Sequence, residues 1–274
     1  MPPHQRARRT AHVALLVVAL LLGIAVRDGP SWILIRQTIY EPGWDLVEDS
    51  QSSTSDALGL TTDASLWGTH AGYALLRPGD PRWDAGGYRA EWHGNDHIAG
   101  PGTERWHGIS YYFPRDYHQG SNPKTWDDRI IFQFADEGSP MFSLHMDVDS
   151  QELWIRRKLP ERGPDGLPQF ETLGRWRFEQ ERWYRVVFHA EWTKDSDGVF
   201  DVYVDGKPKV QYRGRTLAER SVTYSKWGIY GQPARLLFED VRIAEGPNAM
   251  RAVMERPLSD LRRRLRPARA ETTP

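Results

Sequence analysis

Residues 199–206 read VFDVYVDG, and this stretch gives the first indication of the fold. Apolar side chains recur at every second position, and the run ends in Asp205-Gly206. Glycine tolerates the positive φ of a type I′ turn, so Asp-Gly after an alternating run predicts a β-hairpin. Similar short runs, separated by turn residues, occupy 88–93, 105–113, 130–136, 141–148, 183–192 and 236–244. The segments between them show no convincing long amphipathic helix, so the sequence predicts an all-β sandwich or jelly roll.

The composition excludes several classes of site. The 274 residues include no cysteine, which excludes disulfides, thiolate zinc sites and cysteine nucleophiles. Lys and Arg number 36 against 37 Asp and Glu. Because the overall charge is near zero, we expect no nucleic-acid partner, although a local basic groove stays open. The 12 Trp, 11 Tyr and 9 Phe residues fit either sugar-stacking surfaces or an aromatic sandwich core.

The two ends of the chain differ from the middle. Residues 1–30 combine a basic start with an apolar run from Ala11 to Val26, which predicts a signal peptide or an N-terminal membrane anchor. Either interpretation places the main domain, residues 40–246, outside the cytoplasm, secreted or held at the membrane only by this segment. Residues 247–274 are expected to form a short helix followed by a solvated basic tail. We expect the protein to be monomeric.

Period-two spacing assigns side chains to the two faces of the predicted strands. The polar faces are predicted to carry Arg89, Glu91 and His93; Ile131, Gln133 and Ala135; Ser143, His145 and Asp147; and Tyr224, Lys226, Gly228, Tyr230 and Gln232. The opposite faces, with Phe132 and Phe134 among them, are predicted to pack in the core. Taken singly, Arg89 and Glu91 also fit an exposed ion pair, and His145 fits a structural histidine. Together these strands predict a polar groove on one sheet.

Three short motifs, in this order along the chain, resemble those of a known enzyme family. They are Arg89-x-Glu91, Gln133, and Tyr224-x-Lys226-x-Gly228-x-Tyr230-x-Gln232. Over residues 44–245 the chain resembles the jelly-roll polysaccharide lyases of the heparin lyase I, glucuronan lyase and alginate lyase type. The resemblance implies a concanavalin-like sandwich of two antiparallel sheets, and cleavage of an acidic, uronate-containing polysaccharide by β-elimination. The chain departs from the family at Ala135, which occupies the histidine position of the Gln-x-His motif.

The resemblance also implies roles for individual residues. Arg89 and Gln133 would neutralise the uronate carboxylate, and Tyr224 or Tyr230 would act as base, acid or both. His145 is our candidate to replace the missing histidine, with His93 as the second candidate. Contacts to the substrate are expected from Glu91, His93, Lys226, Gln232 and Trp106. Asp240 lies where the family would place a late-strand ligand of a structural Ca²⁺.

Two other functions stay open on the sequence alone. The loss of the motif histidine at Ala135 favours a non-catalytic carbohydrate-binding jelly roll. A hydrolase of the laminarinase type needs a pair of carboxylates a few ångströms apart. The clustered acids Asp147, Asp149 and Glu152 form no convincing pattern of that kind, so the hydrolase is the least favoured of the three.

Overall fold

The computed structural model describes residues 33–38, 49–66, 68–83, 87–93, 98–115, 129–135, 140–218 and 222–254. Residues 1–30, predicted to be a signal or anchor, and residues 255–274 of the predicted tail lie outside this part of the chain. Within it, no helix is both long enough and apolar enough to cross a membrane. The short helix predicted at the start of the tail is present as α1, Ala249–Met254.

Fifteen β-strands account for most of the described residues. In chain order they are β1 Ile33–Thr38, β2 Asp49–Ser52, β3 Leu58–Thr61, β4 Ala71–Leu76, β5 Arg89–His93, β6 Glu104–Tyr112, β7 Arg129–Ala135, β8 Phe142–Asp147, β9 Glu152–Arg162, β10 Pro168–Arg177, β11 Trp183–Glu191, β12 Val199–Val204, β13 Lys207–Arg213, β14 Tyr224–Gly231 and β15 Ala234–Glu245. The strands predicted from alternation therefore exist, each within one or two residues of its predicted bounds.

The strands form two antiparallel sheets, which we call sheet A and sheet B. Sheet A has eight strands in the order β13-β12-β11-β6-β15-β4-β3, with β1 pairing to the last part of β15. Sheet B has seven strands in the order β10-β9-β8-β7-β14-β5-β2. Strands that are distant in sequence lie side by side, as β7 does with β14 and β6 with β15. This is the predicted all-β jelly-roll sandwich.

Aromatic side chains from the two sheets meet in the core. Phe142 on β8 of sheet B stacks on Phe200 on β12 of sheet A, with ring centroids 3.8 Å apart. Phe132 on β7 stacks on Phe188 on β11 with centroids 4.4 Å apart. Trp227 on β14 is fully buried in the same core. Much of the aromatic excess therefore stabilises the sandwich, because each buried ring removes a large apolar area from water.

The predicted hairpin is confirmed, but the predicted loop at 160–168 is shorter than expected. Asp205 and Gly206 have φ angles of 49° and 76°, in the left-handed region that a type I′ turn requires. β9 and β10 both extend into the segment 160–168 and pair there. A register shift between Pro168 and Phe170 accommodates the prolines, which cannot donate to the ladder.

A β-bulge in β7 changes which of its residues face outward. Ile130 pairs with His145 and Phe132 pairs with Leu144, so β7 has one residue more than β8 at this point. Ile131 consequently packs in the core beside Phe132. The prediction that Ile131 faces outward is wrong, because an extra residue inverts the alternation on one side of the bulge.

Candidate active site

The outer face of sheet B, which points away from the core, gathers most of the predicted site residues. Lys226 on β14 lies in a cross-strand row between His93 on β5 and Gln133 on β7, and Ser143 follows on β8. A second row runs through Tyr230, which pairs with Arg89 on β5. We call this surface the polar face, and its residues are Gln51, Arg89, Glu91, His93, Gln133, Ser143, His145, Tyr224, Lys226 and Tyr230.

A chain of hydrogen bonds crosses the polar face. Glu91 accepts a bond of 2.5 Å from Nε2 of Gln133 and one of 3.1 Å from Nη1 of Arg89. The same Arg89 nitrogen donates to Oε1 of Gln51 at 2.9 Å, and Nζ of Lys226 donates to that oxygen at 2.9 Å. Four strands, β2, β5, β7 and β14, thus contribute to one hydrogen-bonded network with two cations and one carboxylate.

Gly228 allows β14 and β5 to approach closely at the centre of this network. Its φ of 135° lies in the region that favours glycine. A Cβ at this position would lie 2.1 Å from the carbonyl oxygen of Ala90 and 2.8 Å from Cα of Glu91. Any other residue would push the two strands apart and displace Glu91, which explains the glycine between Lys226 and Tyr230.

The two tyrosines of β14 have different surroundings. Tyr230 is buried, and the guanidinium carbon of Arg89 lies 4.2 Å from its ring centroid. Tyr224 is half-buried. Nζ of Lys226 lies 5.5 Å from the ring centroid of Tyr224, and the ring of His93 is 6.3 Å from it. Tyr230 therefore packs against a cation, while Tyr224 keeps part of its surface accessible to a ligand.

Of the two candidate histidines, His93 is the one in contact distance of a site tyrosine. Ala135 lies directly opposite Tyr224 on β7, and His93 approaches the same tyrosine from the β5 side. His145 is on the polar face, as predicted, but its Nε2 bonds Oγ of Ser143 at 2.7 Å and its ring stacks on Trp154. His145 is only 2% exposed, compared with 9% for His93.

Glu91 and Gln232, both predicted to contact the substrate, are almost fully buried. Glu91 is 1% exposed and lies at the base of the hydrogen-bonded network. Gln232 directly follows β14 and is 6% exposed. Neither side chain offers a ligand more than a small part of its surface.

Trp106 was also predicted to contact the substrate, but it lies in sheet A. Its ring stacks on His189 with centroids 4.0 Å apart, and it packs with Ala249 and Val253 of α1. α1 covers the outer face of sheet A at this point, so β6 has side chains buried on both of its faces. Alternation cannot distinguish such a strand from one that lines a groove, and the prediction for Trp106 is corrected.

The surroundings of Asp240 do not fit the predicted calcium ligand. Its carboxylate accepts a bond of 2.7 Å from Nε of Arg242 and lies 3.5 Å from Nη1 of Arg185. Burial lowers the pKa of Arg185 to about 10, which leaves this guanidinium charged at neutral pH. Two guanidinium groups on one buried carboxylate would repel a divalent cation, so we assign no metal to Asp240.

In the described part of the chain, one group of three side chains has metal-ligating atoms close together. These atoms of Glu104, His189 and Glu191 all lie within 4.8 Å of one another. Nε2 of His189 is 2.9 Å from Oε1 of Glu104, and its Nδ1 is 3.6 Å from the carboxylate of Asp201. These side chains already contact one another, and they belong to sheet A rather than to the polar face.

Sequence reasoning missed the contribution of β2 to the site. Gln51 bridges Arg89 and Lys226, yet it comes from a strand of only four residues at the edge of sheet B. Its sequence, DSQS, has no apolar alternation from which a strand could be predicted.

A second missed part is a group of cations on β9 and β10, which we call the cationic wing. Arg175 lies 4.8 Å above the ring of Trp154, and Arg156 lies 4.4 Å from the ring of Phe170. The members of the wing, all half-buried or exposed, are Arg156, Lys158, Arg175 and Arg177. The alternation Trp154-x-Arg156-x-Lys158 is the signal from which this extension of the polar face could have been predicted.

Comparisons with known proteins agree with this fold and site. A family model described as polysaccharide lyase matches residues 40–244. The endo-β-1,4-glucuronan lyase of the fungus Trichoderma reesei has a similar structure, with a TM-score of 0.59 and 18% identity over 77% of this chain and 95% of that chain. An alginate lyase from Aplysia kurodai is similar over 78% of this chain and 100% of that chain, with 13% identity and a TM-score of 0.48. No curated protein matches the sequence.

Proposed function

Because this chain belongs to the polysaccharide lyase family, we propose that it cleaves a uronate-containing polysaccharide by β-elimination on the polar face of sheet B. The observation that carries the proposal is the hydrogen-bonded network in which Arg89, Gln133 and Lys226 are held together beside Tyr224. A set of cations and amide donors next to a phenol is what proton abstraction beside a carboxylate requires.

The first chemical requirement is neutralisation of the uronate carboxylate. The C5 proton of a uronate is weakly acidic, and removing it places negative charge on the carboxylate as an enolate-like intermediate forms. Preorganised donors at that carboxylate stabilise the intermediate. Arg89 and Lys226 supply positive charge and Gln133 supplies an amide N–H, so these three side chains are assigned to the carboxylate.

Proton transfer is assigned to Tyr224, with His93 beside it. The phenolate of Tyr224 takes the C5 proton, the C–H electron pair forms the C4=C5 double bond, and the C4–O4 bond breaks. The departing oxygen then takes a proton from Tyr224 or from His93. The nearby ammonium of Lys226 favours the phenolate form of Tyr224. Tyr230, which packs against Arg89, holds that guanidinium in place.

The charge distribution supports an anionic polymer as the substrate. The cationic wing continues the polar face across β9 and β10, and Glu152 is paired there with Arg175 at 3.0 Å. A chain with one carboxylate per sugar could follow this row of cations from the site outward. The near-zero net charge of the whole sequence therefore conceals a local concentration of positive charge.

The location and assembly of the protein follow from the same proposal. Uronate polymers are extracellular materials, so we propose that the domain acts outside the cytoplasm. Residues 1–30 would deliver it there as a signal peptide or hold it at the membrane as an anchor. We also propose that the protein is monomeric and binds no nucleic acid.

One observation favours a second function, carbohydrate binding without cleavage. Ala135 replaces the family's motif histidine at the position opposite Tyr224. If His93 does not take over that role, the polar face would still bind an acidic polysaccharide but would not transfer protons.

A panel of polymers distinguishes the two functions. Purified protein is incubated with glucuronan, alginate, heparin and hyaluronan, and the ultraviolet absorbance of the C4=C5 product is followed. Binding to each polymer is measured in parallel as a function of salt concentration. Cleavage of at least one polymer supports the lyase, whereas binding that weakens with salt, without a rise in absorbance on any polymer, supports the binding protein.

A further inference from the structure

Glu91 is the acid at the centre of the hydrogen-bonded network on the polar face. It is 1% exposed, and within the described residues its carboxylate contacts Gln133 and Arg89. A uronate carboxylate would be repelled by this charge, and burial separates the two groups. Any effect of Glu91 on the reaction must therefore act through the two side chains that it binds.

Each carboxylate oxygen of Glu91 serves one neighbour. Oε1 accepts from Nε2 of Gln133, and Oε2 accepts from Nη1 of Arg89. A glutamine amide can present either its nitrogen or its oxygen to a neighbour, and an ionised carboxylate accepts only from the nitrogen. Glu91 therefore fixes the orientation of the Gln133 amide. It also holds the two donors side by side, at the spacing with which paired donors bind a single carboxylate.

Both donors keep N–H groups beyond those that Glu91 occupies. The Gln133 amide has a second hydrogen on Nε2. Nε of Arg89 is buried and has no hydrogen-bond partner among the described residues. The ring of Tyr230, 4.2 Å from the guanidinium carbon, restrains the plane of that group from one side.

We propose that Glu91 is a positioning residue, which orients the Gln133 amide and the Arg89 guanidinium so that both donate to the carboxylate of the uronate being cleaved. The inference rests on the proposed lyase function. Its charge is also part of the arrangement. Arg89 and Lys226 are positive and Glu91 is negative, so these three groups together retain one positive charge, enough to neutralise one uronate carboxylate.

Two variants of Glu91 and one control test this role. Glu91→Gln keeps the shape but removes the charge, and its amide can present nitrogen or oxygen to either neighbour. Glu91→Asp keeps the charge but is too short to hold both donors. The control is Glu245→Gln, which removes a carboxylate paired with Arg105 at 2.6 Å in sheet A, away from the polar face. For each protein we would measure Tm, kcat and KM on the polymer that the wild type cleaves, and the pH profile of kcat.

For Glu91→Gln we expect kcat to fall by ~10²-fold while KM is unchanged or lower, because misoriented donors lose their grip on the intermediate more than on the substrate. The acidic limb of kcat should also move to lower pH. Loss of the carboxylate removes an anion from the surroundings of Arg89, Lys226, His93 and Tyr224, which favours the deprotonated form of the base. Glu91→Asp should lower kcat by ~10-fold and keep the wild-type limb, since its charge is retained. The control should match the wild type in kcat and pH profile.

Three results would overturn the inference. If kcat of both Glu91 variants stays within ~2-fold of the wild type, Glu91 has no positioning role. A loss confined to KM, with an unshifted limb in Glu91→Gln, would mean that Glu91 contributes to substrate binding instead. A wild type inactive on every polymer removes the lyase function and this inference with it, whereas an active wild type with active variants removes only the inference. If Glu91→Gln fails to fold, kcat of Glu91→Asp decides.

Discussion

Ala135 and Tyr224 lie directly opposite each other on the paired strands β7 and β14. The Gln-x-His motif that the sequence resembles would place an imidazole at position 135, beside this phenol. His93, on the strand that flanks β14 on its other side, has its ring 6.3 Å from the same tyrosine. The chain thus keeps an imidazole next to Tyr224 but supplies it from the opposite side.

This relationship predicts that an imidazole at 135 can replace the one at 93. We expect His93→Ala to lower kcat by at least ~10-fold, because the imidazole beside Tyr224 is lost. Adding Ala135→His to that variant should recover part of the lost kcat, measured as the initial rate of absorbance increase. His145→Ala is the comparison, since His145 bonds Ser143 and stacks on Trp154 away from Tyr224. Unchanged activity in His93→Ala, or a larger loss in His145→Ala, would contradict the assignment.

The two tyrosines of β14 should differ when each hydroxyl is removed. Tyr224→Phe should lower kcat by at least ~10²-fold and leave polymer binding intact, because it removes the proton-transfer group. Tyr230→Phe should have a much smaller effect, since the ring that packs against Arg89 is retained. Initial rates and polymer affinity, measured on both variants, check this. A larger loss in Tyr230→Phe than in Tyr224→Phe would reverse the two roles.

Alternation in the sequence was sufficient to predict most of the polar face. Where a strand is regular and one side is core, as in β5 and β14, residues two apart must share a face. Arg89, Glu91 and His93 therefore lie together, and so do Lys226 and Tyr230. The hairpin at Asp205-Gly206 followed from local turn chemistry alone.

The failures have physical causes that no local pattern contains. Ile131 moved to the core because of a bulge, and Trp106 is buried under α1, which packs on β6 from the far end of the sequence. Gln51 joins the site across a sequence separation of 38 residues to Arg89 and 175 to Lys226. Asp240 bonds an arginine 55 residues away through its backbone carbonyl.

The buried ion cluster at Asp240 predicts a large loss of stability without any role for calcium. Asp240→Asn leaves Arg242 and Arg185 without their counterion, which we expect to lower the free energy of unfolding by about 3–5 kcal/mol. Urea denaturation in a chelator and in added Ca²⁺ should give the same loss. Asp56→Asn, which breaks an exposed pair with Arg77, is the control and should change stability little. A loss that depends on Ca²⁺ would show that a cation binds at Asp240 after all.

The buried hydroxyl of Tyr111 predicts a weakening of the fold at alkaline pH. Burial raises the pKa of Tyr111 well above its usual 10.0, and the hydroxyl donates a 2.7 Å bond to the carbonyl of Ile131 at the bulge. This tyrosine stays neutral in the folded protein at a pH where the unfolded chain loses the proton. Its contribution to stability is therefore complete below about pH 10 and declines as the pH rises above that value.

Tyr111→Phe should separate the two effects of that hydroxyl. It should cost about 1 kcal/mol at neutral pH through the lost hydrogen bond, and its stability should fall less steeply than that of the wild type above about pH 10. Urea denaturation at a series of pH values measures both quantities. Tyr73→Phe, at a half-buried tyrosine on β4, is the control and should keep the wild-type slope. Equal slopes for Tyr111→Phe and the wild type would mean that Tyr111 does not account for the alkaline loss.

The chemical structure of the products tests the central claim, cleavage by β-elimination on the polar face, most directly. Polymer is digested with the wild type and with Tyr224→Phe, and the oligosaccharides are analysed by mass spectrometry and NMR. We predict that wild-type products carry a C4=C5 double bond at the new non-reducing end and are lighter by one water than hydrolysis products. Tyr224→Phe should release few of them. Saturated products from the wild type, or bound polymer that stays intact, would contradict the claim.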